Sequence, residues 1–239
     1  MKPLRTLAAA LALIAPLAAQ AIPMTNLITN GSFEQVTGTT INSGRWTVVE
    51  GENASHGAKY LNGWQADATH GVELRRNVAG SAQDGNIFVE LDSHFGYFPG
   101  NDKTTPCCNS WISQTVSTSW GQLYHLSYYF SPRAGNQSGD NQINVYWDGV
   151  KLGGGTYTNS GSGSGQSGNW TNWQRFEFDV VGNGNTGTLK FADASSPNTY
   201  GGSLDNVSLV AAVPEPETYA LMMAGLGAVA FMARRRRPK

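Results

Sequence analysis

The chain is 239 residues long and nearly neutral, with sixteen Lys plus Arg against seventeen Asp plus Glu. Seven of those basic residues lie in the first 21 and last 27 positions, so residues 22–212 carry nine basic against fifteen acidic groups, a net charge of −6. A segment that acidic is a poor partner for nucleic acid or anionic lipid, and its length fits a single domain.

In chain order, residues 1–21 read as a signal peptide. Lys2 and Arg5 form a charged start, an apolar stretch runs over 7–18, and Ala19-Gln20-Ala21 supplies a small-x-small cleavage site, placing the cut after Ala21. The middle, 22–212, reads as strands throughout. Residues 26–34 (NLITNGSFE) open it, and strands are expected at 46–49, 72–75, 87–91, 111–116 and 123–130. Ile143, Val145 and Trp147 then alternate with Asn144 and Tyr146, a period of two with one face inward. Asp148-Gly149 makes a tight turn into 150–152. Phe176, Phe178 and Val180 alternate with acids, and Leu189, Phe191, Leu204, Val207 and Leu209 close the pattern. Short strands at this spacing, with no helical periodicity before residue 213, imply an all-β fold of two packed sheets.

Two stretches read as long loops. Residues 93–110 carry Tyr97, Phe98, Cys107 and Cys108; residues 153–168 are rich in Gly and Ser. Export places the adjacent cysteines in an oxidising compartment. Consecutive Cα atoms lie about 3.8 Å apart, below the usual disulfide range, so a Cys107–Cys108 bond would be strained. A vicinal disulfide, an intermolecular link and incidental thiols all remain open.

The last 27 residues, 213–239, have three parts. Pro214-Glu215-Pro216 comes first, then an uncharged span at 219–233, then Arg234, Arg235, Arg236, Arg237 and Lys239. A fifteen-residue helix spans roughly 22 Å, short of a hydrocarbon core of about 30 Å, and the arginines hold their end in the cytoplasm. This order closely resembles the PEP-CTERM sorting signal of Gram-negative bacteria. The resemblance implies recognition by the membrane transpeptidase exosortase, a temporary hold in the inner membrane by a short transmembrane helix, and delivery to the cell surface or extracellular matrix.

A second resemblance spans most of 22–212. NLITNGSFE at 26–34 and SLDNVSL at 203–209 bracket the segment, with GVELRR, GNIFVELDS, INVYWDGV and LKFAD between. Together they are similar to the galactose-binding-like jelly roll of carbohydrate-binding modules. That likeness implies a two-sheet jelly-roll sandwich. It also implies a structural Ca²⁺ shared by Glu34 of the opening segment and Asp205 of the closing one, within a shell of six to eight oxygens.

Trp64, Tyr97, Phe98, Trp120 and Trp170 fall in or near loops, where flat rings can stack on sugars and polar neighbours can hold hydroxyls. Trp111, Trp147 and Trp173 sit in alternating strands and read as packing residues. Glu90 and Asp92 lie two apart on one strand face, too close and too alike to divide into acid and base. His56, His70, His94 and His125 have no paired metal spacing, and no nucleophile elbow or phosphate loop occurs. The sequence thus points to an exported, non-catalytic surface protein that associates with a neutral or weakly basic extracellular polysaccharide. A purely structural or adhesive matrix protein and, further off, a secreted glycoside hydrolase are the alternatives.

Overall fold

In the computed structural model the residues described are 25–52, 59–93, 109–133, 140–156, 171–196, 199–212 and 216–235. Tyr97, Phe98, Cys107, Cys108, Trp170, Pro214, Glu215, Arg236, Arg237 and the signal peptide lie outside them.

Alternation builds the strands. Over Leu123–Ser131 the chain turns Tyr124, Leu126, Tyr128 and Phe130 inward while His125 and Leu123 face out. Over Gln142–Trp147 it buries Ile143, Val145 and Trp147. Asp148 and Gly149 both take positive φ (48° and 78°), the geometry of the tight hairpin turn expected there. The described residues contain thirteen strands. These are β1 (Val36–Thr37), β2 (Arg45–Gly51), β3 (Tyr60–Leu61), β4 (Gln65–Ala66), β5 (Val72–Arg76), β6 (Phe88–Glu90) and β7 (Trp111–Ser117). β8 (Leu123–Ser131), β9 (Gln142–Trp147), β10 (Val150–Thr156), β11 (Gln174–Val181), β12 (Thr186–Asp193) and β13 (Ser203–Ala211) follow.

Eight strands form one sheet, in the order β1-β3-β2-β5-β6-β13-β8-β11, and five form the other, β10-β9-β12-β7-β4. From β6 onward the chain crosses repeatedly between the sheets: β7 in the smaller, β8 in the larger, β9–β10 in the smaller, β11 larger, β12 smaller, β13 larger. That alternation is the jelly-roll path, and the expected all-β sandwich is the fold observed. The core between the sheets joins Val49, Leu74, Val89, Leu126, Tyr128 and Leu204 of the larger sheet to Ile112, Val145, Leu189 and Phe191 of the smaller. Tyr128 stacks on Phe176 at 5.3 Å and meets Phe191 edge-on at 5.1 Å.

Residues 26–34 depart from expectation. They form turns rather than a strand, because Asn30 (φ 54°) and Phe33 (φ 60°) bend the chain out of the extended region. The segment is nonetheless fastened to β13. Leu27 N donates to Leu209 O at 2.8 Å, and Val207 N donates to Gly31 O at 2.9 Å. Gly31 is required at this approach, since a Cβ there would lie 2.0 Å from the Val207 carbonyl oxygen.

Met24–Ala212 is a compact unit of its own. In the tail, α1 runs over Pro216–Arg235, a helix where the sequence put one. The span expected at 219–233 lies within this helix. Among the described residues no helix is long and apolar enough to cross a membrane. α1 opens on Pro216, Glu217 and Thr218 and closes on Arg234 and Arg235, so its uncharged length is too short for a full crossing.

Candidate binding site

The outer face of the larger sheet carries charges where an outer face is usually wet, yet these are sealed. In β5, Val72 and Leu74 point to the core, so Glu73 and Arg75 point away from it; in β6, Val89 points in and Glu90 away. Strand register then sets their neighbours. Glu73 is paired with Glu90 across β5–β6, and Arg75 with Trp46 across β2–β5. Glu73, Arg75 and Glu90 are at most 3% exposed.

Burying such charges costs several kcal/mol each unless they are paired and hydrogen-bonded. Here they are. Arg75 Nε donates to Glu73 Oε1 at 2.6 Å, and Arg75 Nη2 bonds Glu90 Oε2. Arg133, just beyond β8, brings Nη1 to both oxygens of Glu90 at 3.3 and 3.4 Å and to the Thr199 carbonyl at 3.3 Å. Gly201 N donates to Glu90 Oε1, and Tyr200 N donates to Asp92 Oδ2 at 2.9 Å. The acids that stood two apart in the sequence therefore share a face, and together they clamp the segment leading into β13. Burial opposes the charge on Arg75, but Glu90 and Glu73 outweigh it and raise its pKa. Burial likewise pushes Glu90 upward, against the pull of Arg75 and Arg133.

Above this network lies an open cleft. Trp46 and Tyr200 stand on its walls, 37% and 44% exposed, and Glu73, Arg75 and Arg133 line its polar side. The Arg133 guanidinium lies 4.4 Å from the Tyr200 ring centroid, which fixes that ring. Ala79 and Thr199 also line the cleft, both at positive φ (53° and 72°). Non-glycine residues in that region store strain, and for a β-branched threonine it is uncommon; such strain gathers at functional sites. One donor is unspent: Arg75 Nη1 is buried and has no hydrogen-bond partner. A buried guanidinium N–H without a partner costs free energy that an arriving acceptor would restore.

The residues singled out in the sequence sit elsewhere. Trp64 is fully buried, donating from Nε1 to the Asn30 carbonyl at 3.0 Å and packed on Phe33 and Phe191. It is a core residue, and the expectation that it binds sugar is corrected. Trp120 is 84% exposed on the turn before β8. Arg133 follows the other end of that nine-residue strand, so Trp120 and the cleft are separated by roughly 30 Å of strand. Trp147 is buried as expected; Trp111 and Trp173 are partly buried, Trp111 under Lys190 at 4.5 Å and Trp173 edge-on to Phe88 at 5.9 Å.

Glu34 and Asp205 do converge, on the loop at 83–87. Glu34 Oε1 accepts from Asn86 N and Ile87 N at 2.5 and 2.6 Å, and Asp205 Oδ2 from Gln83 N and Asp84 N at 2.7 and 3.0 Å. A register shift after Asp205, with Asn206 at φ 47°, aims Asp205 at that loop. Burial, with a smaller push from nearby Asp84, raises Asp205 to about 7 against its backbone hydrogen bonds. The pair suits a cation in charge, but Glu34 Oε1 and both Asp205 oxygens, Oδ1 accepting from Asn206 N at 2.7 Å, are already committed to amides. Among the described residues no three acid, His or Cys side chains gather as a metal site.

Missed in the sequence were Trp46, Arg75, Arg133 and Tyr200. The available signal was VELRR and FVELD, where charges occupy alternate places in otherwise apolar strands.

The fold and the cleft define a jelly-roll domain that carries, among the described residues, an aromatic-walled cleft on the outer face of its larger sheet. Residues 212–237 match the family model described as the PEP-CTERM protein-sorting motif, so the chain carries the signal of an exported, envelope-sorted protein. No curated protein matches the chain. Among solved structures it is similar to a Stig cyclase, Fisc, from Fischerella sp. TAU, at 13% identity and a TM-score of 0.49, over 80% of this chain and 100% of that one. It is also similar to a family 35 carbohydrate-binding module from Clostridium thermocellum (11%, TM-score 0.38, 69% and 97% covered). A third likeness is to the K1 cleaved adhesin domain of Lys-gingipain from Porphyromonas gingivalis W83 (14%, TM-score 0.43, 64% and 92%). Likeness at this level carries no argument about what this chain does.

Proposed function

We propose that the protein is processed by exosortase through its tail and that its sandwich holds an extracellular polysaccharide without cleaving it. The sorting motif supports the destination. One observation carries the binding: a buried arginine keeps an unspent donor at a cleft walled by two partly exposed aromatic rings. Rings supply a stacking surface, and a placed donor supplies orientation. Cleavage is disfavoured by the same geometry. A glycosidase flanks the scissile bond with two carboxyl groups, whereas Glu73 alone among the described acids lines this cleft and Glu90 is fully sealed beneath two arginines. The test is affinity electrophoresis of the full-length chain in mild detergent through gels containing extracellular polysaccharides, with reducing ends assayed after incubation. Retardation by at least one polymer without new reducing ends is expected. Retardation by none points to the structural-matrix reading, which the bare Trp120 surface would then serve.

A Ca²⁺ shared by Glu34 and Asp205 is a separate proposal. Their convergence and the acidic crowding of Asp205 by Asp84 support it. A bound ion stabilises the fold by mass action, so excess chelator should lower Tm and elemental analysis should find calcium. Unchanged melting with no calcium present would leave the two acids as loop anchors only.

A further inference from the structure

Resting on that reading, we infer the ligand class of the cleft: a neutral hexose unit, held by two adjacent ring hydroxyls between Arg75 and Glu73, with its apolar face on Trp46 or Tyr200.

Arg75 presents one donor, Nη1, with no partner. Beside it Glu73 commits Oε1 to Arg75 Nε and still lines the cleft. The polar side therefore sets a donor next to an acceptor. A hydroxyl both accepts and donates, so two neighbouring hydroxyls on a sugar ring meet that pair at once.

Charge then selects against ionised sugars. Arg75 is already opposed by Glu73 and Glu90, and Arg133 is opposed by Glu90, with Nη1 committed to that acid and the Thr199 carbonyl and the guanidinium set against the Tyr200 ring. The two acids and two arginines cancel. A uronate carboxylate could reach Arg75 only beside Glu73, a like charge in a largely dry setting; an amino sugar would meet two guanidinium groups. Only a neutral hydroxylated ring adds hydrogen bonds without adding charge. Arg75, Glu73 and Arg133 are each held by their neighbours, so little side-chain freedom is lost on binding.

The experiment uses the full-length protein in detergent, titrated with gluco-, galacto- and manno-configured hexaoses while tryptophan fluorescence and heat are followed. Three comparisons accompany them: the same sugars fully O-methylated, which keep ring faces and acceptors but lose donor hydrogens; the matching oligouronates; and the variants Trp46→Ala and Tyr200→Ala, whose partly exposed rings can be removed with the fold checked by melting. We expect at least one neutral hexaose to bind in the micromolar to millimolar range, with methylation and the uronate each weakening it tenfold or more, and removal of the ring it rests on, Trp46 or Tyr200, weakening it several-fold at unchanged melting. A uronate that binds as well as its neutral counterpart overturns the inference, as does a methylated sugar that binds equally. Neutral binding indifferent to both ring variants overturns this site while leaving polysaccharide association standing. Binding of no sugar overturns both.

Discussion

Glu90 shows most directly how one residue holds the site together. It receives two guanidinium groups and a backbone amide while fully enclosed, so it is the shared anchor of Arg75, Arg133 and the segment entering β13. Removing one partner from a buried ion network leaves the others uncompensated, at about 3–5 kcal/mol. Glu90→Gln should lower the denaturation free energy by that order, with the cleft lost before the core unfolds. Chemical denaturation followed by tryptophan emission measures both. Asp193 gives a pH signature. Burial pushes it to about 7 from 3.8, despite the Ser195 hydrogen bonds at 2.8 and 3.2 Å. Asp205 is raised similarly. Between roughly pH 4 and 7 the folded state therefore keeps protons that the unfolded chain has released, so these groups stabilise most in acid and that contribution fades as pH rises through their folded values. Tm at pH 5.5 should exceed Tm at pH 8, and Asp193→Asn should flatten the slope. A slope unchanged in that variant would remove Asp193 from the account.

Strands with a clean period of two were legible because burial enforces the period. β8 and β9 read directly from LYHLSYYFS and QINVYW. β1, β3 and β4, at two residues each, are too short to show any period. Residues 26–34 misled because β-formers surround Asn30-Gly31, while the backbone there obeys positive φ at Asn30 and Phe33. Trp64 misled for a related reason: it follows a turn at Asn62-Gly63, so it looks like a loop residue, but its ring is turned into the core. The cleft was hidden because its members are joined by register. Glu73 meets Glu90, and Arg133 and Tyr200 arrive from loops far along the chain; no local pattern announces that meeting. Packing between elements can be tested at Gly187 of β12, where a Cβ would fall 2.2 Å from the Trp147 ring. Overpacking of this kind typically costs about 1–3 kcal/mol. Gly187→Ala should therefore lower Tm by several degrees, and Trp147→Phe in the same chain should recover part of it.

At the scale of the whole molecule, the tail decides location and the sandwich decides what is met there. If exosortase removes the tail, mass spectrometry of surface-released protein should find no peptide from 220–239, whereas a strain lacking the enzyme should retain them. Full-length tail in the mature surface fraction would refute the processing step. The fastening of the first turns to the last strand has a consequence for timing. Leu27, Asn26 and Gly31 are tied to Val207 and Leu209, so the segment that follows the leader out of the cell has its partners near the other end of the polypeptide. Such non-local pairing makes folding slow. During vectorial export the opening turns must wait, unfastened and open to outside proteases, until position 209 has emerged. A sorting segment that pauses in the membrane would hold the newly emerged chain beside its exit while that closure is made, and a tail cut too early would release an exported chain still open at its seam.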